Sequence, residues 1–329
     1  PLKRLEVNSI LDWIEEDTPV GKSNHLALVY GRAGIGKSVV MHDLLESLNN
    51  KENYLVLGLK SDQIEFVNTD DLAKQMHLAK PIVTVIKEMS QSVRRVVLLI
   101  DQIDALSLSL SSNRTPLRSI LKLIDQVRNI DHVRVVISCR PYDLEYDPIL
   151  HNLEIDTKWE LKEFPKEQVK QSLSDNEYKN SISDDLLHFL GNPLHLFLFI
   201  KVIPHAQLTD PVTEEILYNE LWRIYICDVD QNQINKKALL ELLDNMVNTM
   251  YDRQELSVQI GNYETTYNSE LKYLFSNGLL ILTQNGQMQF FHQTMFDYVY
   301  ARRFAEHDRN LMEELKEQHQ GLFSRAAIK

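Results

Sequence analysis

At 329 residues, with 43% apolar and 25% charged side chains, the chain has an ordinary folded composition and the length for two or three domains with cores of their own. Its net charge of −12, with no long basic block, is the wrong sign for a sequence-independent nucleic-acid groove, and no run of 18 apolar residues offers a membrane span. Two cysteines, Cys139 and Cys227, supply neither a disulfide framework nor a metal cluster, which points to a reducing, cytoplasmic setting.

In chain order, an amphipathic helix is expected over Leu5–Glu16. A strand at His25–Tyr30 follows and runs into Gly31-Arg-Ala-Gly-Ile-Gly-Lys-Ser38. That run matches the phosphate-cradling pattern G-x-x-x-x-G-K-[ST] without a gap. Gly31, Gly34 and Gly36 let the backbone turn with no side chain in the way, so its N–H groups can face phosphate oxygens. Lys37 supplies an ammonium for the β- and γ-phosphates, and Ser38 a hydroxyl for Mg²⁺. The helix predicted over Ser38–Leu48 turns its N-terminus to the anion, and Ile35 and Val39 complete the nucleotide-binding set. A glycine turn with no nucleotide is the alternative, and the strand before and helix after argue against it.

Further strands are expected at Tyr54–Leu59, Arg95–Ile100, Val133–Ser138 and Thr157–Leu161. Helices are expected near Asp70–His77, Ile82–Ser92 and Leu117–Ile130. The alternation predicts an α/β fold over 1–164, a mostly parallel sheet with helices on both faces. Val96–Ile100 and Val133–Ile137 are the continuous apolar runs of buried parallel strands. The first ends in Asp101, which would hold or polarise Mg²⁺ opposite the phosphate loop. Asp104, three residues on, is either a base or relay for the attacking water or a helix N-cap. An Asp there, in place of a Glu adjacent to Asp101, fits slow hydrolysis. The second strand leads to Arg140-Pro141. Arg140 is either a cation near the γ-phosphate or one arm of a surface salt bridge, and Pro141 fixes the chain direction after it. Leu106–Asn113 reads as a mobile loop beside the site.

After Phe164-Pro165 helical patterns dominate: Lys166–Leu173, Ser183–Leu190, Pro193–Val202 and Glu214–Ile226 make a small helical domain over 165–232. A helix at Lys236–Tyr251, a strand at Leu256–Gln259 and a helix at Thr265–Phe275 follow. Strands Leu279–Thr283 and Gln287–Phe291 flank an Asn285-Gly286 turn, a strong hairpin signal. With a closing helix, these predict a winged helix over 233–310, leaving 311–329 as a C-terminal helical segment. His292 ends the hairpin and opens the last helix, where by itself it reads as a core or capping histidine. Gly191-Asn192-Pro193 by itself is a helix stop followed by a helix start. Beginning at Pro1, the chain reads as a piece of something longer.

The ordered set GRAGIGKS, LLIDQID, ISCRP, GNPLHL and FFHQTMFDYVYA resembles the STAND class of signal-transducing P-loop NTPases, and within it the NACHT-type branch. The resemblance covers nearly the whole chain. It implies that Pro193 packs near the adenine and that His292 contacts the β-phosphate of ADP, clamping a closed state. It further implies ATP/ADP with Mg²⁺, slow hydrolysis, homo-oligomerisation on activation, and a role in innate-immune or antiviral signalling with attached sensor and effector domains. Ala105 departs from the acidic residue that NACHT-type strands often carry there. Two other readings compete. An AAA-type initiator or loader ATPase with a DNA-binding winged helix would want an adjacent Asp-Glu, where this chain has Asp101-Gln102, and a basic recognition helix. A metabolic P-loop kinase would leave the helical and winged portions without a role.

Overall fold

The computed structural model describes residues 2, 4–17, 24–61, 69–75, 77–107, 114–178, 180–208, 211–253, 255–283 and 286–306. Most of the loop expected over Leu106–Asn113, Asn285 of the expected turn, and the segment 311–329 lie outside them. Two compact units divide the chain, Pro1–Phe164 and Pro165–Lys329.

The first unit is a five-stranded sheet of β1 (Leu26–Tyr30), β2 (Tyr54–Lys60), β3 (Arg95–Asp101), β4 (Val133–Cys139) and β5 (Thr157–Glu160). Every pairing is parallel, and the strand order is β2-β3-β4-β1-β5. Side chains alternate across a strand, so each apolar run feeds two cores. Ala27, Val29, Val97, Leu99 and Val136 pack on one face, under α1 (Glu6–Glu15) and α2 (Lys37–Asn49). Leu26, Leu28, Val96, Leu98, Ile100, Val133, Val135 and Ile137 pack on the other, under α3 (Thr69–Gln75), α4 (Ile82–Ser90) and α5 (Thr115–Val127). Coverage on both sides is why β3 and β4 are apolar between their ends, Arg134 excepted. Each Val, Leu or Ile fully buried this way contributes about 1.5–3 kcal/mol.

Strand order decides where the chemistry gathers. β1 is hydrogen-bonded to β4, and β4 to β3, with Tyr30 opposite Cys139 and Ile100 opposite Ile137. The phosphate loop, Asp101 and Arg140 therefore leave the sheet side by side, at the carboxyl edge where open α/β sheets bind ligands. Pro141 does more than fix a direction: it is the first residue of a short helix, α6 (Pro141–Tyr146), a position that suits its missing N–H.

The second unit opens with α7 (Lys166–Asp175), α8 (Asp184–Phe189), α9 (Pro193–Val202) and α10 (Glu214–Trp222). Side-chain oxygens of Ser183, Asn192 and Thr213 cap the last three by accepting backbone N–H groups. The helix expected to reach Ile226 stops at Trp222 and continues as a π turn, Arg223–Cys227. Then come α11 (Lys236–Arg253), β6 (Val258–Gln259), α12 (Gly261–Glu264), α13 (Asn268–Ser276), β7 (Leu280–Leu282), β8 (Gln287–Phe290) and α14 (Gln293–Glu306). The helix expected over Thr265–Phe275 is α13, which starts three residues later at Asn268, and the short α12 before it was not expected. The three short strands pair antiparallel in the order β6-β8-β7. α14 lies on α11 through a Tyr251–Tyr300 stack, ring centres 4.2 Å apart, and through the Arg303–Asp244 ion pair. Among the described residues, no helix is long and apolar enough to cross a membrane.

Candidate nucleotide site

The loop between β1 and α2 is shaped by its glycines. Gly34 and Gly36 take φ of 75° and 95°, left-handed values that side chains resist. A Cβ on Gly31 would lie 2.9 Å from both Ile35 Cγ2 and the Leu161 carbonyl oxygen, so only glycine fits. Helix α2 makes its first turn bond from Val40 N–H to the Gly36 carbonyl. The N–H groups of Lys37, Ser38 and Val39 precede that ladder, as an anion site requires. Val39 brings a backbone donor only, since its side chain is exposed, and the Ile35 side chain is buried against α1 and α2.

Lys37 is buried, and its ammonium spans the loop, donating to the carbonyls of Gly31 at 2.8 Å and Arg32 at 3.0 Å. Burial pushes its pKa down, Arg140 adds to that, and the carboxylates of Asp104 and Asp101 push back. Asp101 closes β3 and accepts a hydrogen bond from the Ser138 hydroxyl. The same hydroxyl accepts the Gln102 backbone N–H at 2.7 Å, while the Gln102 side-chain amide donates to Ser38 Oγ at 3.0 Å. One relay thus joins the two oxygen ligands expected for Mg²⁺. Gln102 holds a left-handed backbone, φ 55° and ψ 48°, to make both contacts.

Asp104 sits in a 3-10 turn, Ile103–Leu106, and caps no helix. Its Oδ2 lies 2.9 Å from Arg140 Nε, and its Oδ1 is buried with no hydrogen-bond partner. Burial lifts the carboxyl from its ordinary 3.8 to about 6, with Arg140 and Lys37 holding it from rising further. Arg140 is no arm of a surface salt bridge, because its partner's side chain is only 2% exposed.

Lys37, Ser38, Asp101, Asp104 and Arg140 therefore meet at one sheet edge. The donor set fits a phosphate chain: a buried ammonium, a glycine loop and a helix N-terminus. The hydroxyl of Ser38 and the carboxylate of Asp101 are hard oxygen ligands of the kind Mg²⁺ takes. Pro193 and His292 belong to the second unit. Pro193 is the first residue of α9, behind the Asn192 cap. His292 precedes α14, where its Nδ1 accepts the Thr294 N–H at 3.2 Å and lies 2.8 Å from Thr294 Oγ1, itself bonded to the Tyr218 hydroxyl. That is a helix-capping geometry. The adjacent Phe291 packs on Phe197 of α9, ring centres 5.3 Å apart. Gln102 and Ser138 escaped the sequence reading, although a serine ending an otherwise apolar strand was a visible signal.

Residues 25–179 match the NACHT domain family. The chain carries a NACHT domain. It is accordingly an ATP-binding P-loop NTPase, and the loop, Lys37 and the sheet edge just described lie inside the NACHT segment. No curated relative matches the chain. Among solved structures, the Walker-type ATPase PABY2304 of Pyrococcus abyssi is similar at 9% identity and a TM-score of 0.42, covering 91% of this chain and 96% of its own. The Aeropyrum pernix ORC2 protein, in ADPNP–ADP complexes, gives 12% and 0.41 over 93% and 96%. CDC6P from Pyrobaculum aerophilum gives 14% and 0.38 over 94% and 96%.

Proposed function

We propose that the chain is an ATP/ADP-dependent switch of the STAND type, with slow hydrolysis, a closed state held by ADP, and homo-oligomerisation driven by ATP. In this reading it works in the cytoplasm, in innate-immune or antiviral defence, alongside sensor and effector domains. The observation that carries it is the Asp104–Arg140 pair beside Lys37. The carboxylate best placed to orient water is engaged by a cation, and the cation best placed for a γ-phosphate is engaged by that carboxylate. A third phosphate group competes with Asp104 for Arg140, so gaining or losing it rearranges the pair. Turnover is slow because the base must first be released, and Ala105 offers no second acid.

Ser38 and Asp101 would hold Mg²⁺, which when bound screens phosphate charge. Lys37 and the α2 N-terminus grip the phosphates, and Gln102 and Ser138 keep the two ligands in register. Pro193 against the adenine and His292 on the β-phosphate would bring a three-part architecture, sheet domain, helical domain 165–232 and winged helix 233–310, to bear on one nucleotide. A ligand shifts such an equilibrium only by its differential affinity for the two states, and a histidine–phosphate contact made only when closed supplies it. The test is the nucleotide that co-purifies with the full chain, released by denaturation and separated by chromatography. Tightly held ADP is expected; empty protein with rapid turnover overturns the switch.

A further inference from the structure

Arg4, near the start of the chain, is buried, yet its charge is not spent on a close carboxylate: Glu6 is 3.8 Å away. Its guanidinium reaches two backbone carbonyls instead. Nη2 donates to Ile35 of the phosphate loop at 2.5 Å, and Nη1 donates to Lys162 at 2.6 Å. The guanidinium carbon also lies 4.2 Å from the centre of the Phe164 ring. Burial lowers its pKa, and its Nε is buried without a partner, so the arrangement is costly and needs a compensating role.

The geometry at each end suggests that role. In a planar trans peptide the C=O and the next N–H point in opposite directions. Fixing the Ile35 carbonyl on Arg4 therefore turns the Gly36 N–H away from Arg4, and Gly36 is the left-handed residue that opens α2. The other end holds residues 162–164, the last of the first unit, directly before Pro165. The same stretch touches the loop a second time, since the Leu161 carbonyl is what excludes a side chain at Gly31. Any pull on the chain at Pro165 passes through residues 161–164.

We propose that Arg4 is a positioning residue that ties the phosphate loop to the segment 161–164, so that the grip on nucleotide and the state of that segment change together. A planar fork suits this because it serves two acceptors in fixed directions, which a lysine ammonium does not. The proposal rests on the loop being the nucleotide site.

The test uses the full chain with mant-ADP as probe, Arg4→Ala, Arg4→Lys and Phe164→Leu variants, and backbone hydrogen exchange. Arg4→Ala should speed mant-ADP release by about 10-fold, the scale of one charged hydrogen bond. It should raise KM more than it lowers kcat; ADP should slow exchange over 161–166 in the unaltered chain, and Arg4→Ala should abolish that slowing. Arg4→Lys should restore less than half of the release effect. Phe164→Leu, which keeps the guanidinium bonds and covers the case of an unfolded Arg4→Ala, should shift both readouts in the same direction by less. A folded Arg4→Ala with unchanged release overturns the proposal. Faster release with ADP-dependent exchange over 161–166 intact also overturns it, since the loop would then move alone. If the unaltered chain fails to bind mant-ADP, the nucleotide reading itself falls, and this one with it.

Discussion

Replacing Asp104 by Asn should stabilise this protein at neutral pH. The carboxyl moves from 3.8 to about 6 on folding because it is buried, and even Arg140 at 2.9 Å does not offset the loss of water. A carboxyl whose folded pKa is raised favours folding in its protonated form. That contribution is full below the unfolded pKa and is lost as pH rises through about 6. A shift of roughly two units corresponds to about 3 kcal/mol at pH 8, and about half of it is lost between pH 5 and 8. Asn presents a carbonyl oxygen to Arg140 and carries no charge to desolvate. The assay is urea unfolding of the two proteins at pH 5 and pH 8, taking the variant-minus-wild-type difference so that other titrating groups cancel. The variant should gain about 1–1.5 kcal/mol on the wild type across that interval. Hydrolysis should fall at the same time, marking a stability cost carried for function. A difference that is flat with pH, or one that favours the wild type at pH 8, refutes the reasoning.

Other substitutions probe separate features. Gly31→Ala puts a methyl 2.9 Å from the Leu161 carbonyl oxygen, a backbone atom with no easy retreat; a loss of about 1–3 kcal/mol in thermal or urea unfolding is expected, with weaker mant-ADP binding. At Gln102, Gly should be more stable than Ala by about 1 kcal/mol, the reverse of the usual order, because φ is 55°; paired urea midpoints decide it, and Ala equal to or above Gly would disprove the strain. His292→Ala removes the acceptor for the Thr294 N–H, with a cost of about 1 kcal/mol to the start of α14. If the clamp reading is right, it also speeds ADP loss and raises spontaneous oligomerisation on a sizing column; unchanged ADP retention and size would sink the clamp.

Much of the fold is legible because the sheet leaves little choice. Val96–Ile100 and, Arg134 apart, Val133–Ile137 are apolar because both faces are buried, and the strand ends fall within a residue of expectation. The phosphate loop is legible because each glycine has a steric reason. Asp104 was not decidable in advance: a cap and a buried partner of Arg140 use the same residue type, and only the strand order β3-β4 brings Arg140 to it. Gln102 gives no local sign of a left-handed backbone, since Gly or Asn is what such positions ordinarily show. Arg4 is silent for a deeper reason: its partners are main-chain carbonyls 31 and 158 residues away, and a carbonyl leaves no mark on sequence. The π turn after Trp222 is likewise a tertiary outcome that overrides a helical pattern.

Three unfavourable features of the first unit gather at one place. A desolvated lysine, a carboxyl with an orphaned oxygen and a left-handed glutamine all lie beyond the carboxyl ends of β1 and β3, within the reach of one phosphate chain. Away from that edge the same strands are mostly apolar, Arg134 in β4 excepted, with helices packed on both faces, so the support for the edge is distributed. Local rules fail together only where something other than stability selects the residues. Two of these groups are ones that phosphate or its cation would engage: the ammonium by phosphate oxygens, and the Ser38 hydroxyl, now held by Gln102, by exchange to a metal. A lysine and a hydroxyl whose present partners a phosphate chain and its cation would replace give this edge two arrangements, which is what the proposed switch requires.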